Sequence, residues 1–404
     1  MYKKIIYLLI IISLMITNTY TIIADDENEE ITQEDYVEVI NQTKDEPILN
    51  SRIAVAYDRK SGEVIWGKDE NKRTAMASTT KIMTAIVTLE NCDLNQIVTI
   101  SKKSAGTGGS RLGLKTDDKI TMNDLLYGLM LKSGNDAAVA IAETVGGSVE
   151  GFAELMNAKA KELKLENTHY VTPHGLDDPE HYTTAVELAK LADYALQNKI
   201  FAKIVNTKNY TVTINGYQKA ISNTNELLGY LEGVNGVKTG FTNNAGRCLV
   251  TSINRNGFEI ITVILQADTK KFRTSDSIKL IEYIYKNYEP VNIKEIVNEQ
   301  FKKWCSINTS RIQINKCKSN NLELYIDNLD NDIIPIKKTD KDKIQIEVNN
   351  LFYFEAPLQQ NTIIGTMKVN LDGKTLDVIE IKNKNTIPKK DIWDYFNIFA
   401  QCLS

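Results

Sequence analysis

The sequence predicts an α+β protein in two parts: an antiparallel sheet with helices on its faces, then a small β-rich domain. Helical and strand periodicities alternate between about residue 50 and residue 288. Near Pro290 the character changes, and from Leu322 onward the pattern is one of short strands. A chain of 404 residues with a 42% hydrophobic fraction is long and apolar enough to fill two cores.

The elements follow in order. Arg52–Tyr57 and Val64–Trp66, parted by Ser61-Gly62, read as a hairpin. From Ser78 to Glu90, Ile82, Ala85, Ile86 and Leu89 recur at helical spacing. Met122–Leu131 reads as a second helix, opened by Thr121 with Asp124 three residues on. Phe152–Leu163 and Ala185–Leu196 read as further helices. Leu249–Ser252 and Glu259–Leu265 flank an Asn256-Gly257 turn and read as paired strands. Ser275–Tyr285 closes this part as a helix, and one sheet with helices on its faces is the expected result. Beyond it, Leu322–Ile326, Ile344–Val348, Gly365–Val369 and Leu376–Ile381 read as strands, the last two joined at Asp372-Gly373.

The two ends differ from the middle. Lys3 and Lys4 precede an apolar run from Ile5 to Ile16, and Ala24 precedes Asp25-Asp26-Glu27. This reads as a secretory signal peptide over residues 1–24, and the run is short for an uncleaved span of about 20 residues. Residues 25–48 are acidic and polar and read as a linker. At the other end, residues 385–404 place Ile392, Phe396, Phe399 and Leu403 on one helical face, with Trp393 and Tyr395 nearby. That pattern suits an amphipathic helix lying in a membrane interface; the alternative is a helix packed on the β-domain. A net charge of −4 implies no attraction to nucleic acid.

Three motifs stand in order: Ser78-Thr79-Thr80-Lys81, Ser133-Gly134-Asn135 and Lys238-Thr239-Gly240. Ser78 and Lys81 are three apart, so on a helix they share a face, and a serine hydroxyl needs such a base to become a nucleophile. Lys81 serves as that base only if burial or a second cation, for which Lys238 is placed, lowers its pKa. The Ser-x-Asn pattern recurs at Ser252, Ser306 and Ser319, so Ser133 is distinguished by its place after an apolar helix. Its hydroxyl suits a proton relay, and the Asn135 amide can align a substrate amide. Around Lys238-Thr239-Gly240 a strand edge can pair with an extended peptide, and Gly240 lets backbone approach closely. The backbone N–H groups of Ser78 and Phe241 are candidates for an oxyanion hole. The set describes acyl transfer through a serine ester.

His169, His174 and His181 fall in one loop-like stretch without a helical metal-binding pair, and read as an ordered loop flooring the site. The sequence implies no metal and no cofactor. Five cysteines without a CxxC pair argue against a disulfide framework; Cys92 and Cys248 read as buried thiols, and spacing alone leaves a Cys305–Cys317 bridge open.

The residues around the motifs carry a wider likeness. They include Ala77 to Ala85, Gly128 to Ala138, Thr172 to Leu176 with His181 to Ala185, Asn223-Thr224-Asn225 with Leu227-Leu228, and Gly236 to Thr242 with Ala245-Gly246. In these the chain resembles the serine-type D-alanyl-D-alanine carboxypeptidases, the low-molecular-mass penicillin-binding proteins. The resemblance spans about residues 50–288. It implies the penicillin-binding-protein/β-lactamase-like serine transpeptidase fold over 49–288, a C-terminal β-domain over 289–384 and a membrane-associated tail. It further implies Ser78 as the acyl-ester nucleophile, Lys81 as its proton acceptor, Ser133 as the second-motif serine and Lys238 with Thr239, Gly240 and Phe241 on substrate. Arg273 falls where the family places an arginine near the substrate's terminal carboxylate, a role that suits a guanidinium. Asn235 departs from the aspartate usual before the third motif, and Thr224 stands where some relatives have arginine.

The expected substrates are peptidoglycan stem peptides, with β-lactams as inhibitors, on the wall side of the membrane. A β-lactamase and a D,D-endopeptidase are the enzymatic alternatives; the first needs a deacylating carboxylate, for which Glu162 and Glu166 lie in the right span. A penicillin sensor or wall-bound scaffold is the non-enzymatic one.

Overall fold

The computed structural model describes residue 39, residues 46–329 and residues 332–403. The expected signal peptide and most of the expected linker lie outside the described residues. The chain forms two compact units, divided between Lys286 and Asn287.

The first unit is built on a five-stranded antiparallel sheet. Its strands are β1 (Ile53–Asp58), β2 (Val64–Lys68), β7 (Val234–Thr242), β8 (Gly246–Arg255) and β9 (Phe258–Ala267), in the order β2-β1-β9-β8-β7. Local chemistry sets the hairpins. Ser61 donates from its backbone N–H and its hydroxyl to the Asp58 carboxylate at 2.7 and 2.6 Å, closing the β1–β2 turn. Asn256 and Gly257 both sit at positive φ, as a two-residue turn between right-twisted strands requires. The short pairs β3 (Ile97–Thr99) with β4 (Lys119–Thr121), and β5 (Asn209–Ile214) with β6 (Tyr217–Ser222), stand outside this sheet.

Helices cover the sheet as expected. They are α1 (Lys81–Asn91), α2 (Lys102–Ala105), α3 (Met122–Leu131), α4 (Asn135–Gly146), α5 (Val149–Glu162), α6 (Ala185–Gln197), α7 (Lys199–Val205) and α8 (Lys270–Asn287). The Thr121 hydroxyl accepts from the Asp124 N–H at 3.1 Å and caps α3. Residues 81–88 of α1 are buried, because α1 packs against α3, α4, α5 and α6 and not only on one partner. The helix expected from Ser78 begins with a 3₁₀ turn, Ala77–Thr80, in which Thr79 and Thr80 donate to the Met76 and Ala77 carbonyls. Helix α4 starts two residues after Ser133, a helix not among those expected from the sequence.

The second unit has its own apolar core around Val297, Met367, Val369 and Ile381. It is not purely β. Strand β10 (Tyr288–Asn292) leads into a 16-residue helix, α9 (Ile293–Asn308), whose first turn is capped by Asn292 accepting from the Glu295 N–H at 3.0 Å. Only Ile293 and Val297 of α9 are fully buried, with Ile296, Phe301 and Trp304 packed half-buried on the same core, and this helix was not among the elements expected from the sequence. Strands β11 (Gln313–Asn315), β12 (Leu324–Ile326), β13 (Ile333–Lys337), β14 (Ile344–Asn350), β15 (Tyr353–Glu355), β16 (Ile363–Leu371) and β17 (Lys374–Asn383) follow. Four of them form a sheet in the order β12-β17-β16-β14. Helix α10 (Ile392–Leu403) ends the described chain. All five cysteines are free thiols; Cys248 is buried, whereas Cys92, expected in an apolar setting, is half-exposed with its Sγ 3.1 Å from Gln96 Oε1.

Candidate active site

Ser78 lies in the 3₁₀ turn that opens α1, and Lys81 follows one turn later with its ammonium end inside the protein. Lys81 Nζ is 2.8 Å from Ser78 Oγ, 2.8 Å from Asn135 Oδ1 and 2.9 Å from the His174 carbonyl. Its side chain has no exposed surface. Burial first, and the nearby Lys238 charge second, push its pKa well below the ordinary lysine range, against a pull from Asp136.

The second motif reaches Lys81 because the turn between α3 and α4 lies beside α1. Ser133 sits there at positive φ and lines the cleft. Asn135, expected to align a substrate amide, uses both ends of its own amide on the protein. Its oxygen accepts from Lys81 and its Nδ2 donates to the Gly108 carbonyl at 2.7 Å, so it holds Lys81 and lies off the cleft wall. Next to it, the buried Asp136 carboxylate accepts from the N–H groups of Leu112, Gly113 and Leu114 at 2.8, 2.7 and 3.0 Å. That fastens the 108–114 loop to the start of α4, beside the cleft residue Ser110.

Strand β7 is an edge of the sheet, and its third-motif residues face Ser78. A Cβ built on Gly240 would stand 3.0 Å from the Ser78 nitrogen and 3.2 Å from the Ala77 Cβ, so glycine is what lets the strand pass this close. Thr239, Gly240 and Phe241 line the cleft, and the Arg247 guanidinium stacks on the Phe241 ring at 3.9 Å. Thr239 shares a 2.7 Å hydrogen bond with the Thr224 hydroxyl. Lys238 is 1% exposed and donates to the Thr239 carbonyl at 3.0 Å. Burial, helped by the Arg273 charge, lowers its pKa to about 7.

The histidine stretch is an ordered floor. His181 Nδ1 accepts from the Val171 N–H at 3.0 Å, so its proton is on Nε2, 2.8 Å from the Thr80 hydroxyl that in turn donates to Ala77 O. Thr84 donates to the Pro173 carbonyl at 2.6 Å, which aims the neighbouring His174 carbonyl at Lys81. Burial, with the positive charge of Lys81 next, drives His174 down to about 3; burial drives His181 to about 4. Both rings are therefore neutral near pH 7.

Arg273, on α8, is 4% exposed and closes one end of the cleft. Its Nη2 donates to Glu226 Oε1 at 2.6 Å. The motif reading passed over Glu226, although it stands inside the block between Asn225 and Leu227. It also gave no role to Asp136 or Thr80, whose partners Leu112 and His181 lie far away in sequence. The whole cleft is about 420 Å³, lined by Ser78, Ser133, Thr239 and Arg273 among others. Glu226 is the one carboxylate on its wall among the described residues. Glu162 instead pairs with Lys159 at 2.7 Å, and Glu166 borders a separate hollow with Asn157 and His169.

Residues 40–269 match the peptidase S11 family, D-alanyl-D-alanine carboxypeptidase, and residues 308–389 match the C-terminal domain of penicillin-binding protein 5. The D-alanyl-D-alanine carboxypeptidase DacF of Bacillus subtilis is 32% identical over 345 residues, 84% of this chain and 86% of that one. DacA of Haemophilus influenzae is 31% identical over 369 residues, 86% and 89% of the two chains. The crystal structure of penicillin-binding protein 5 from Haemophilus influenzae aligns with a TM-score of 0.68 at 26% identity, covering 85% of this chain and 99% of that one. The Streptomyces K15 DD-transpeptidase aligns with a TM-score of 0.57 at 35% identity over 59% of this chain and 98% of that one. From the Ser78–Lys81 pair to the second unit, this chain belongs to the D-alanyl-D-alanine carboxypeptidase family of penicillin-binding proteins.

Proposed function

We propose that the protein removes the terminal D-alanine from peptidoglycan stem pentapeptides through an acyl-ester on Ser78, and that penicillin acylates the same serine. The observation that carries this is the setting of Lys81. As a neutral amine it has two N–H bonds, and these meet the Asn135 and His174 carbonyl oxygens. Its lone pair is then left for the Ser78 hydroxyl 2.8 Å away.

Ser78 Oγ attacks the penultimate D-alanine carbonyl as its proton passes to Lys81. The N–H groups of Ser78 and Phe241 hold the oxyanion, on a strand that Gly240 brings against the turn. Ser133 relays the proton to the leaving D-alanine nitrogen, the C–N bond breaks, and the acyl-serine ester remains. Water then attacks that ester, with Lys81 again the base. Thr239 and Arg273 hold the departing residue's carboxylate, with Lys238 adding positive potential behind them. The β-lactamase reading lacks support: Glu226, the one cleft carboxylate among the described residues, is engaged by Arg273.

The test is release of D-alanine from a pentapeptide together with labelling by a fluorescent penicillin. Ser78→Ala is expected to lose both. D-alanine release at the wild-type rate by that variant overturns the mechanism, and fast multiple turnover of penicillin favours a β-lactamase.

We further propose that the protein acts outside the cytoplasm and that α10 meets a membrane surface. No described helix is long and apolar enough to cross a membrane. Helix α10 exposes Ile392, Trp393, Phe396 and Phe399, with Trp393 at 71%. Its start is tied down by Lys318, 3.2 Å from Asp394. Such a short exposed apolar face suits an interfacial helix. Co-sedimentation with liposomes that survives in the full chain but is lost on Trp393→Ser with Phe396→Ser supports it; equal sedimentation of both overturns it.

A further inference from the structure

One charged group in the cleft has no part in the acyl transfer just described. Glu226 stands on the turn between β6 and β7, and its carboxylate accepts from Arg273 Nη2 at 2.6 Å and from the Thr274 hydroxyl. Lys270 Nζ lies 3.5 Å from its other oxygen. Burial works against its charge, but Arg273, Thr274 and Lys270 together hold the carboxyl below its ordinary range, so it is ionised at neutral pH. The contact is a carboxylate on a guanidinium inside the cleft, the same contact that a peptide's C-terminal carboxylate needs there.

We propose that Glu226 is an internal competitor for the carboxylate-binding end of the cleft, and that it sets how tightly carboxylate-terminated ligands bind. This rests on the reading of Arg273 given above. Two observations say which partner gives way. The Arg273 side chain is 5% exposed on the long helix α8, whereas the Glu226 side chain is 28% exposed on a turn. Arg273 Nε is also buried without a hydrogen-bond partner, so Glu226 does not saturate the guanidinium. An incoming carboxylate meets cations already neutralised in part by Glu226. It must displace that carboxylate or bind beside it against like-charge repulsion. Ligands without a terminal carboxylate do not meet this barrier.

The experiment compares the full-length protein with Glu226→Gln, which keeps the shape and an acceptor oxygen but removes the charge. For a D-Ala-D-Ala-terminated peptide, KM is expected to fall about fivefold while kcat moves less than about twofold, as for loss of one partly exposed repulsive charge. The same peptide ending in D-alaninamide, used as a competitor, is expected to bind both proteins equally. An unchanged KM, a higher KM, or an equal gain for the amide overturns the proposal; a higher KM makes Glu226 a positioning residue for Arg273. Glu226→Asp, which keeps the charge but withdraws it by one methylene, moves KM the same way by a smaller factor and serves if Glu226→Gln does not fold. If the wild-type protein releases no D-alanine, the proposed function fails on its own. The inference is then read from penicillin, which also bears a carboxylate: its acylation rate constant is expected to rise about fivefold in Glu226→Gln, and an unchanged rate overturns the inference.

Discussion

The two units treat charge in opposite ways. In the first, Asp58, Lys81, Asp118, Asp124, Asp136, Glu187, Lys238, Arg273 and Asp276 are all buried. In the second, no charged side chain among the described residues is buried, and Asn383 is the one buried polar residue. Its ion pairs, such as Lys294–Asp332 and Lys316–Glu355, lie at the surface. Burying a charge is costly unless it is paired. The first unit accepts that cost at Lys81, Lys238 and Asp136, where it shifts pKa values and fastens a loop beside the Ser78 cleft, and at Asp58, Asp124 and Asp276, where it ties chain segments together; the second is built as a plain apolar core. Buried charge therefore marks the part of the molecule that does chemistry.

The comparison breaks most sharply at Lys81. Lys81→Met removes a buried amine and is expected to lower penicillin acylation by about 10³-fold while leaving Tm unchanged or higher. A large loss of Tm instead would make Lys81 a structural residue. The pH profile comes next. Catalysis needs Lys81 neutral, and burial with the Lys238 charge moves its pKa in that direction. Lys238 is charged below about pH 7 and neutral above it, so its attraction for a substrate carboxylate fades as pH rises. The alkaline limb of kcat/KM is expected near pH 7, while kcat, which reports the bound complex, holds to higher pH. Coincident limbs for both would refute this role of Lys238.

Smaller effects follow. His174 and His181 stay neutral in the fold to about pH 3 and 4, whereas in the unfolded chain they take protons near pH 6.5. The unfolded state then binds more protons, so Tm is expected to fall as pH drops from about 6.5 toward 4. His181→Asn should flatten that slope. In the second unit, Met367→Ala is expected to cost about 2–5 kcal/mol of that unit's stability, seen by denaturant unfolding, with D-alanine release per folded molecule intact. Lys294→Ala at the surface should change stability by less than about 1 kcal/mol.

Much of this was legible from local pattern. The period of Met122–Leu131 and its Thr121 cap, the Asn256-Gly257 turn and the spacing of Ser78 and Lys81 are all properties of a few neighbouring residues. Helix α9 was missed although Ile293, Ile296, Val297, Phe301 and Trp304 recur at helical spacing, because the reading of this part rested on the short strands that follow it. The use of Asn135, whose partners are Gly108 and Lys81, was not legible.

By itself the sequence determined which residue types are available for acyl transfer, and in which turns and helices they sit, since capping, periodicity and motif spacing act over a few residues. Only the tertiary structure decided their state. The lowered pKa of Lys81 comes from being enclosed among Ser78, Asn135 and His174 with Lys238 nearby, and the occupation of Arg273 comes from Glu226, 47 residues away. Desolvation and charge pairing depend on distance in space, and that distance exists only once the helices have packed on the sheet.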